Sequence, residues 1–292
     1  MIIFALSMGR AAIKTVNWFL LAIVVLFVCF SLFFACQGDD DKVSVGDPDA
    51  LVDNLEQDGF VVKEGAAGYF NMIQGCCTPA EEPKLPSCFG FNPDAPYVAS
   101  GLPDADGQDE PNASGLYDPT MTFSAGYRLA PDEAVVIAGK TPPEVTYFSY
   151  VPYLFIRYDP TIGNYVKIFA TMTDTINFMN IKTTGTPNGA QGNPFDEDTL
   201  IIVTADEETE RRVRQAAVTA GYSESIINTI VLPAEFARLG LEAGKDEFII
   251  LNRLALPPED EQAVQAFDDY LETPGVRVFR ASPGTDDTTP LA

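Results

Sequence analysis

The segment LIIVTADEETERRVRQAAVTAG, residues 200–221, gives the clearest indication of the fold. Leu200 to Thr204 is a short apolar run rich in β-branched residues, which is typical of a buried strand. Asp206 to Ala220 places apolar residues among charged ones at helical spacing, and Gly221 is a residue that commonly ends a helix. A strand that leads directly into an amphipathic helix predicts an α+β layer in this part of the chain.

The pattern continues toward the C-terminus as two strands, a helix and a strand. The predicted strands are Ile226–Leu232, Glu247–Leu254 and Arg277–Arg280, and the predicted helix, Glu259–Leu271, lies between the last two. The resulting order, β-α-β-β-α-β, is the split pattern of a ferredoxin-like layer. We therefore predict a ferredoxin-like α+β portion over residues 196–283 and a flexible tail over 284–292.

Residues 49–190 predict antiparallel β-structure. Runs of aromatic and β-branched residues alternate with turn signals in this region, at 122–129, 134–139, 145–158, 165–171 and 176–184. Residues 78–119 are rich in Pro, Gly, Asn and Asp, which predicts a long loop. The expected fold class is α+β: this β-rich portion, then the ferredoxin-like portion, with an N-terminal hydrophobic helix before both.

The N-terminal segment predicts a signal or a membrane anchor. Trp18 to Ala35 is an apolar run, and about 18 to 20 such residues are enough to cross the hydrocarbon core of a bilayer. Arg10 and Lys14 precede the run and aspartates follow it at 39–41, which predicts an internal N-terminus and an exported remainder. We expect residues 1–35 to be the signal or anchor, 36–48 an acidic tether, and the rest an extracytoplasmic domain.

Three fates of this segment stay open: a retained span, a cleaved secretory signal and a lipoprotein signal. The residues Phe33-Phe34-Ala35-Cys36 resemble a bacterial lipobox, in which a small residue precedes the lipidated cysteine. Phe33 and Phe34 depart from that motif, and the apolar run is longer than a usual signal core of about 7 to 15 residues. The resemblance makes Cys36 the candidate for lipidation.

Three further cysteines, Cys76, Cys77 and Cys88, lie in the part predicted to be exported, where disulfides form. Cys88 can pair with either of the other two, whereas a bond between adjacent cysteines would be strained. The candidate disulfide is Cys77 with Cys88, and Cys76 with Cys88 stays open. The three cysteines lack the spacing and the fourth ligand of a zinc site, so we expect neither a metal nor a cofactor.

Composition excludes several classes of function. The chain has no histidine, which excludes Ser-His-Asp and Cys-His nucleophiles and histidine-ligated zinc or haem. Its formal net charge of −24 repels phosphate backbones, so we expect no nucleic-acid partner.

The densest cluster of aromatic and polar residues is YFSYVPYLFIRY, residues 147–158. Because alternate residues of a strand share a face, Tyr147, Ser149 and Tyr153 are predicted on one side, with Arg157 beyond them. Aromatic rings with a few polar tips suit a pocket for a small molecule, and these four residues are the binding candidates. The alternative is a β core with tyrosines at its edge.

Catalytic candidates are weaker. Asp174 and Asp206 follow predicted strands, as catalytic carboxylates often do, and Ser149 is a possible nucleophile without a recognisable base. Asp174 would serve equally to fix a turn, and Asp206 to begin a helix. Arg253 and Arg280 lie in apolar strand ends, where an arginine either pairs with a carboxylate of the chain or recognises an anionic ligand.

The function that we expect is that of a membrane-anchored extracytoplasmic protein that binds a small molecule or an envelope protein without catalysis. The anchor, the aromatic strand and the lack of catalytic motifs favour this hypothesis. A histidine-free hydrolase that uses paired carboxylates is the alternative, and the sequence leaves open whether the protein is an enzyme.

Overall fold

The computed structural model describes residues 43–70, 95–113, 117–118, 123–257 and 259–284. The helices of this part are α1 (Pro48–Gln57), α2 (Glu207–Thr219) and α3 (Glu261–Glu272). The strands are β1 (Phe60–Glu64), β2 (Ala66–Phe70), β3 (Tyr97–Gly101), β4 (Tyr117–Asp118), β5 (Phe123–Ser124), β6 (Ala134–Lys140), β7 (Tyr147–Asp159), β8 (Asn164–Thr171), β9 (Ile176–Asn177), β10 (Asp198–Thr204), β11 (Ile227–Val231), β12 (Glu247–Ala255) and β13 (Val276–Pro283).

Most of these strands belong to two sheets. Sheet A has the order β1-β13-β6-β10-β11, in which β10 and β11 are parallel and the other neighbours are antiparallel. Sheet B has the order β2-β3-β12-β7-β8, with β9 also paired to β7, and all of its pairs are antiparallel. β4 and β5 form a separate short pair.

The two sheets pack face to face, because one apolar cluster contains side chains from both. Sheet A contributes Val135, Ile137, Ile201, Val203 and Val278 to this cluster, and sheet B contributes Val98, Phe148, Phe248, Ile250 and Leu254. The other face of sheet A is covered by α1 and α2, through Leu51, Leu55, Val213 and Ala217. The outer face of sheet B carries a third, more aromatic cluster that includes Tyr97 and Phe155.

The segment 200–221 folds as its pattern predicts. Leu200 and Ile202 face the helices while Ile201 and Val203 face sheet B, so β10 is buried on both faces from Thr199 to Thr204. The Asp206 carboxylate accepts the Thr209 N–H at 2.7 Å and caps α2. The backbone at Gly221 turns away after the helix with a φ of 94°.

The α+β class is confirmed: the described part is rich in strands, with two main sheets and three helices. The predicted order β-α-β-β-α-β is present along the chain as β10-α2-β11-β12-α3-β13. These four strands do not form the single sheet of a ferredoxin-like layer, because β12 lies in sheet B and β6 separates β13 from β10 in sheet A. Local sequence patterns predict the order of the elements, whereas contacts between residues far apart in the sequence determine which strands are neighbours in a sheet.

The region predicted as a long loop contains β3, which pairs with β12 and β2. The runs predicted as strands at 122–129 and 176–184 reduce to the two-residue strands β5 and β9. None of the three described helices combines the length with the apolar character that a bilayer-spanning helix needs. The predicted anchor at 1–35, the lipidation candidate Cys36 and the disulfide candidates Cys76, Cys77 and Cys88 lie outside the described residues.

Candidate ligand-binding face of sheet B

A row of side chains crosses the outer face of sheet B. The register places Phe70 opposite Tyr97, Tyr97 opposite Arg253, Arg253 opposite Ser149, and Ser149 opposite Asn177. Residues directly opposite in antiparallel strands project to the same face, with Cβ atoms about 4.5 to 5.5 Å apart. We call Tyr97, Arg253, Ser149 and Asn177 the polar row.

Arg253 is the unusual member of the polar row. Its side chain is half-buried, its Nε is inaccessible to solvent, and this Nε has no hydrogen-bond partner among the residues that the structure describes. Across the described ranges, no acidic side chain forms an ion pair with Arg253. In a chain with a net charge of −24, a cation with no carboxylate beside it is unexpected.

Arg280, the other arginine singled out in the sequence, behaves as a structural cation. Its Nη1 lies 2.7 Å from the Glu133 carboxylate, and both side chains are buried. Its Nη2 donates to the Arg128 carbonyl at 3.1 Å. The ion-pair hypothesis is therefore confirmed for Arg280, whereas Arg253 has no such pair in the part of the chain that is described.

Ser149 adds a second unsatisfied group beside Arg253. The serine is only 1 % exposed, and within the described part of the chain its Oγ has no hydrogen-bond partner. A buried polar group without a partner costs about 1 to 3 kcal/mol. Other buried atoms of the described part also lack one, among them the Tyr127 hydroxyl and the Nε atoms of Arg128 and Arg280, so what marks this place is two adjacent donors on one face of the sheet. The Arg253 N–H and the Ser149 O–H are both donors, and a single acceptor group would satisfy both once a side-chain movement admits it to these two buried atoms.

Two tyrosines lie close to the guanidinium. Burial raises the pKa of Tyr97 and of Tyr153, and the positive charge of Arg253 opposes the rise in both cases. Both hydroxyls are therefore protonated at neutral pH and can act as donors. The rings also have aromatic neighbours: Tyr153 stacks on Phe169 with ring centroids 4.7 Å apart, and Tyr147 meets Phe178 edge-on at 5.9 Å.

The structure brings together three of the four predicted binding residues. Tyr147, Ser149 and Tyr153 alternate along β7 and project to the outer face, as their spacing predicts. Arg157 instead forms a two-pronged ion pair with the buried Asp246, at 2.9 and 2.6 Å, and this interaction raises its pKa. The register of β7 shifts between Leu154 and Ile156, so the alternation does not continue to Arg157.

The weak catalytic candidates do not converge. Asp206 caps α2 beside sheet A, and Asp174 is an exposed residue in the connection from β8 to β9. Ser149 lies in the polar row, where its neighbours across the sheet are Arg253 and Asn177 rather than a carboxylate. The sequence did not single out Tyr97 as a site residue, because its pairing with Arg253 depends on the register of distant strands.

A separate cleft of about 690 Å³ lies beside α3 and the end of β6. Its charged lining residues are Lys140, Glu144, Asp196, Asp269 and Glu272. Lys140 already pairs with Asp196 at 3.1 Å, so the cleft offers no unsatisfied cation comparable to Arg253. Among the described residues, no group of three or more Cys, Asp or Glu side chains could hold a metal ion.

The fold and this surface define an α+β protein of two stacked sheets with an aromatic, arginine-containing outer face. Comparisons with protein-family models, with curated proteins and with solved structures found no match.

Proposed function

We propose that this chain is a noncatalytic binding protein that is held at a membrane on the extracytoplasmic side and takes a small molecule on the outer face of sheet B. The observation that carries the proposal is the Arg253 and Ser149 pair, whose adjacent donors lack partners among the described residues and lie on a strand pair lined with tyrosines. A bound molecule that supplies an acceptor would remove the cost of both unsatisfied groups.

The membrane placement rests on the sequence. The apolar run from Trp18 to Ala35, with basic residues before it and aspartates after it, supports an exported domain tethered at its N-terminus. Lipidation at Cys36 and a retained hydrophobic helix are two forms of the same tether, and both leave the domain outside the cytoplasm.

The hydrolase hypothesis lacks a comparable observation. It requires two carboxylates, or a nucleophile and its base, to meet at one place. The Asp206 carboxylate is engaged by the backbone of α2, and no hydrogen bond or ion pair among the described residues joins it to Asp174 or Ser149. We therefore favour binding over catalysis.

Mass spectrometry of the full chain, purified gently from its own membrane, tests this function. Under native conditions we expect a mass adduct from a bound small molecule, and this adduct should disappear on denaturation. In Tyr153→Ala the adduct should be absent. Tyr158→Ala is the matched control, since Tyr158 lies on the same strand, is half-buried, and has its ring centroid 5.3 Å from that of Tyr165. An adduct that survives in Tyr153→Ala, or a wild-type chain without any adduct, would contradict binding at this face.

A further inference from the structure

We propose that the ligand carries a single carboxylate on an apolar, ring-containing body, with the carboxylate held between Arg253 and Ser149. This inference rests on the proposed function and adds the chemical class of the ligand. It follows from three properties of the polar row: the kind of donors it presents, the number of cations in it, and the character of its surroundings.

The donors require an acceptor. The guanidinium of Arg253 is a planar fork of N–H groups that matches the two oxygens of a carboxylate, and it has no acceptor capacity of its own. Ser149 lies directly opposite on β7 and has a buried hydroxyl free to donate. The hydroxyls of Tyr97 and Tyr153 keep their protons and lie near the same guanidinium. This set of donors recognises an oxyanion rather than a cation or an amine.

The charge balance favours one negative charge over two. Arg253 is the one cation of the polar row, and the chain around it carries a formal net charge of −24. A monoanion is neutralised by this arginine, whereas a dianion such as a phosphate monoester would keep an uncompensated charge within a repulsive field. A carboxylate therefore fits better than a phosphate.

The surroundings favour an apolar body. The outer face of sheet B carries buried Tyr97, Phe155 and Leu251, with Phe70 and Phe169 packed beside them. Aromatic rings offer large apolar contact surfaces and edge or face contacts to another ring, which contribute roughly 0.5 to 1.5 kcal/mol per pair beyond area burial. A ring attached to the carboxylate would use this surface, and a small hydrophilic acid would not.

Isothermal titration of the full chain in detergent with three probes tests the inference. The probes are benzoate, its neutral counterpart benzamide, and inorganic phosphate. We expect benzoate to bind roughly tenfold or more tightly than benzamide or phosphate, because hydrogen bonds between charged groups are the stronger ones. Arg253→Gln should reduce the affinity for benzoate to that for benzamide. Ser149→Ala should weaken the binding of benzoate severalfold, and the fold should tolerate the smaller side chain. Arg211→Gln is the control, since Arg211 is an exposed residue of α2, away from sheet B, and forms an ion pair with Glu208.

The outcomes separate this inference from the proposed function. Equal binding of benzoate and benzamide, both lost in Tyr153→Ala, would keep the binding face and overturn the carboxylate. Tighter binding of phosphate than of benzoate, or full benzoate affinity in Arg253→Gln and in Ser149→Ala, would also overturn it. If none of the three probes binds, the inference of a carboxylate ligand is overturned. The proposed binding face then loses the support that this inference gives to it.

Discussion

Arg253 of β12 and Ser149 of β7 lie directly opposite each other, and in the described ranges neither the Nε of the arginine nor the Oγ of the serine has a hydrogen-bond partner. Elsewhere in the described residues, the Nε atoms of the buried Arg128 and Arg280 also lack a hydrogen-bond partner, but each of these arginines has a carboxylate within 3.6 Å. The half-buried Arg253 has no such carboxylate among the described residues, and this difference is the basis of the functional proposal.

Ser149→Ala should leave the free energy of unfolding unchanged or raise it by up to about 1 kcal/mol, because it deletes a buried hydroxyl that has no partner. Ser124→Ala is the matched control: Ser124 is equally buried, but its Oγ donates to the Gly126 carbonyl at 2.7 Å. This second change should cost about 1 kcal/mol. Urea unfolding measures both, and a loss of stability in Ser149→Ala as large as in Ser124→Ala would show that the Ser149 hydroxyl is satisfied.

Glu133→Gln should destabilise the protein by about 3 to 5 kcal/mol, because it leaves the buried guanidinium of Arg280 without a counter-charge. The Glu133 carboxylate also accepts the Ala130 N–H at 2.8 Å and the Ser282 hydroxyl. Glu208→Gln, which removes an exposed partner of Arg211, should cost less than about 1 kcal/mol. Similar losses in the two variants would mean that the Arg280 pair is not buried as described.

Stability should fall between about pH 10 and pH 12 because of tyrosines between the sheets. Burial raises the pKa of Tyr150 to about 12, against an ordinary value near 10, and burial raises the pKa of Tyr270 as well. Below pH 10 both states hold the phenolic protons, so this contribution to stability is fully present. As the pH rises further, the unfolded chain ionises first, which removes about 1.4 kcal/mol per pH unit for each such tyrosine.

Urea unfolding at a series of alkaline pH values measures this loss. Tyr150→Phe should make the dependence on pH shallower, because phenylalanine has no proton to release in either state. Tyr69→Phe, at an exposed position of β2, is the control and should leave the dependence unchanged. An unaltered slope in Tyr150→Phe would contradict the burial of its hydroxyl between the sheets.

Asp206→Ala should cost about 1 kcal/mol, because the carboxylate caps α2 through the Thr209 N–H. Asp206→Asn should retain most of the stability, since asparagine caps helices about as well as aspartate. Benzoate affinity should be equal in both variants and in the wild type. Thermal or urea unfolding measures the first two effects; a stability loss in Asp206→Asn equal to that in Asp206→Ala would show that the negative charge has a further partner.

The elements with a strong local pattern could be predicted from the sequence. β10 and α2 follow directly from an apolar run and a helical repeat, and β7 from its aromatic and β-branched residues. β2 and β3 were not predicted, because AAGYF and YVASG contain small residues with little strand preference of their own. Gly65, before β2, lies so close to Gly101 that an added Cβ would stand 2.0 Å from the Gly101 carbonyl oxygen. Such close approaches between distant segments leave no local pattern.

Part of the candidate site could also be predicted. Alternation along β7 is enough to place Tyr147, Ser149 and Tyr153 on one face. It fails at Arg157, because the register shift after Leu154 is not marked by any sequence pattern. Arg253 lies on the same face because β12 belongs to sheet B, whereas the other C-terminal strands belong to sheet A. Tertiary packing alone decides this placement of β12.

The most direct test of the central claim is a crystal structure of the full chain with benzoate. We predict the carboxylate oxygens at about 2.7 to 3.1 Å from Arg253 Nε and Ser149 Oγ, with the ring against Tyr97 or Tyr153. An Asp or Glu carboxylate of the chain itself bonded to Arg253, or benzoate bound away from the polar row, would contradict the claim.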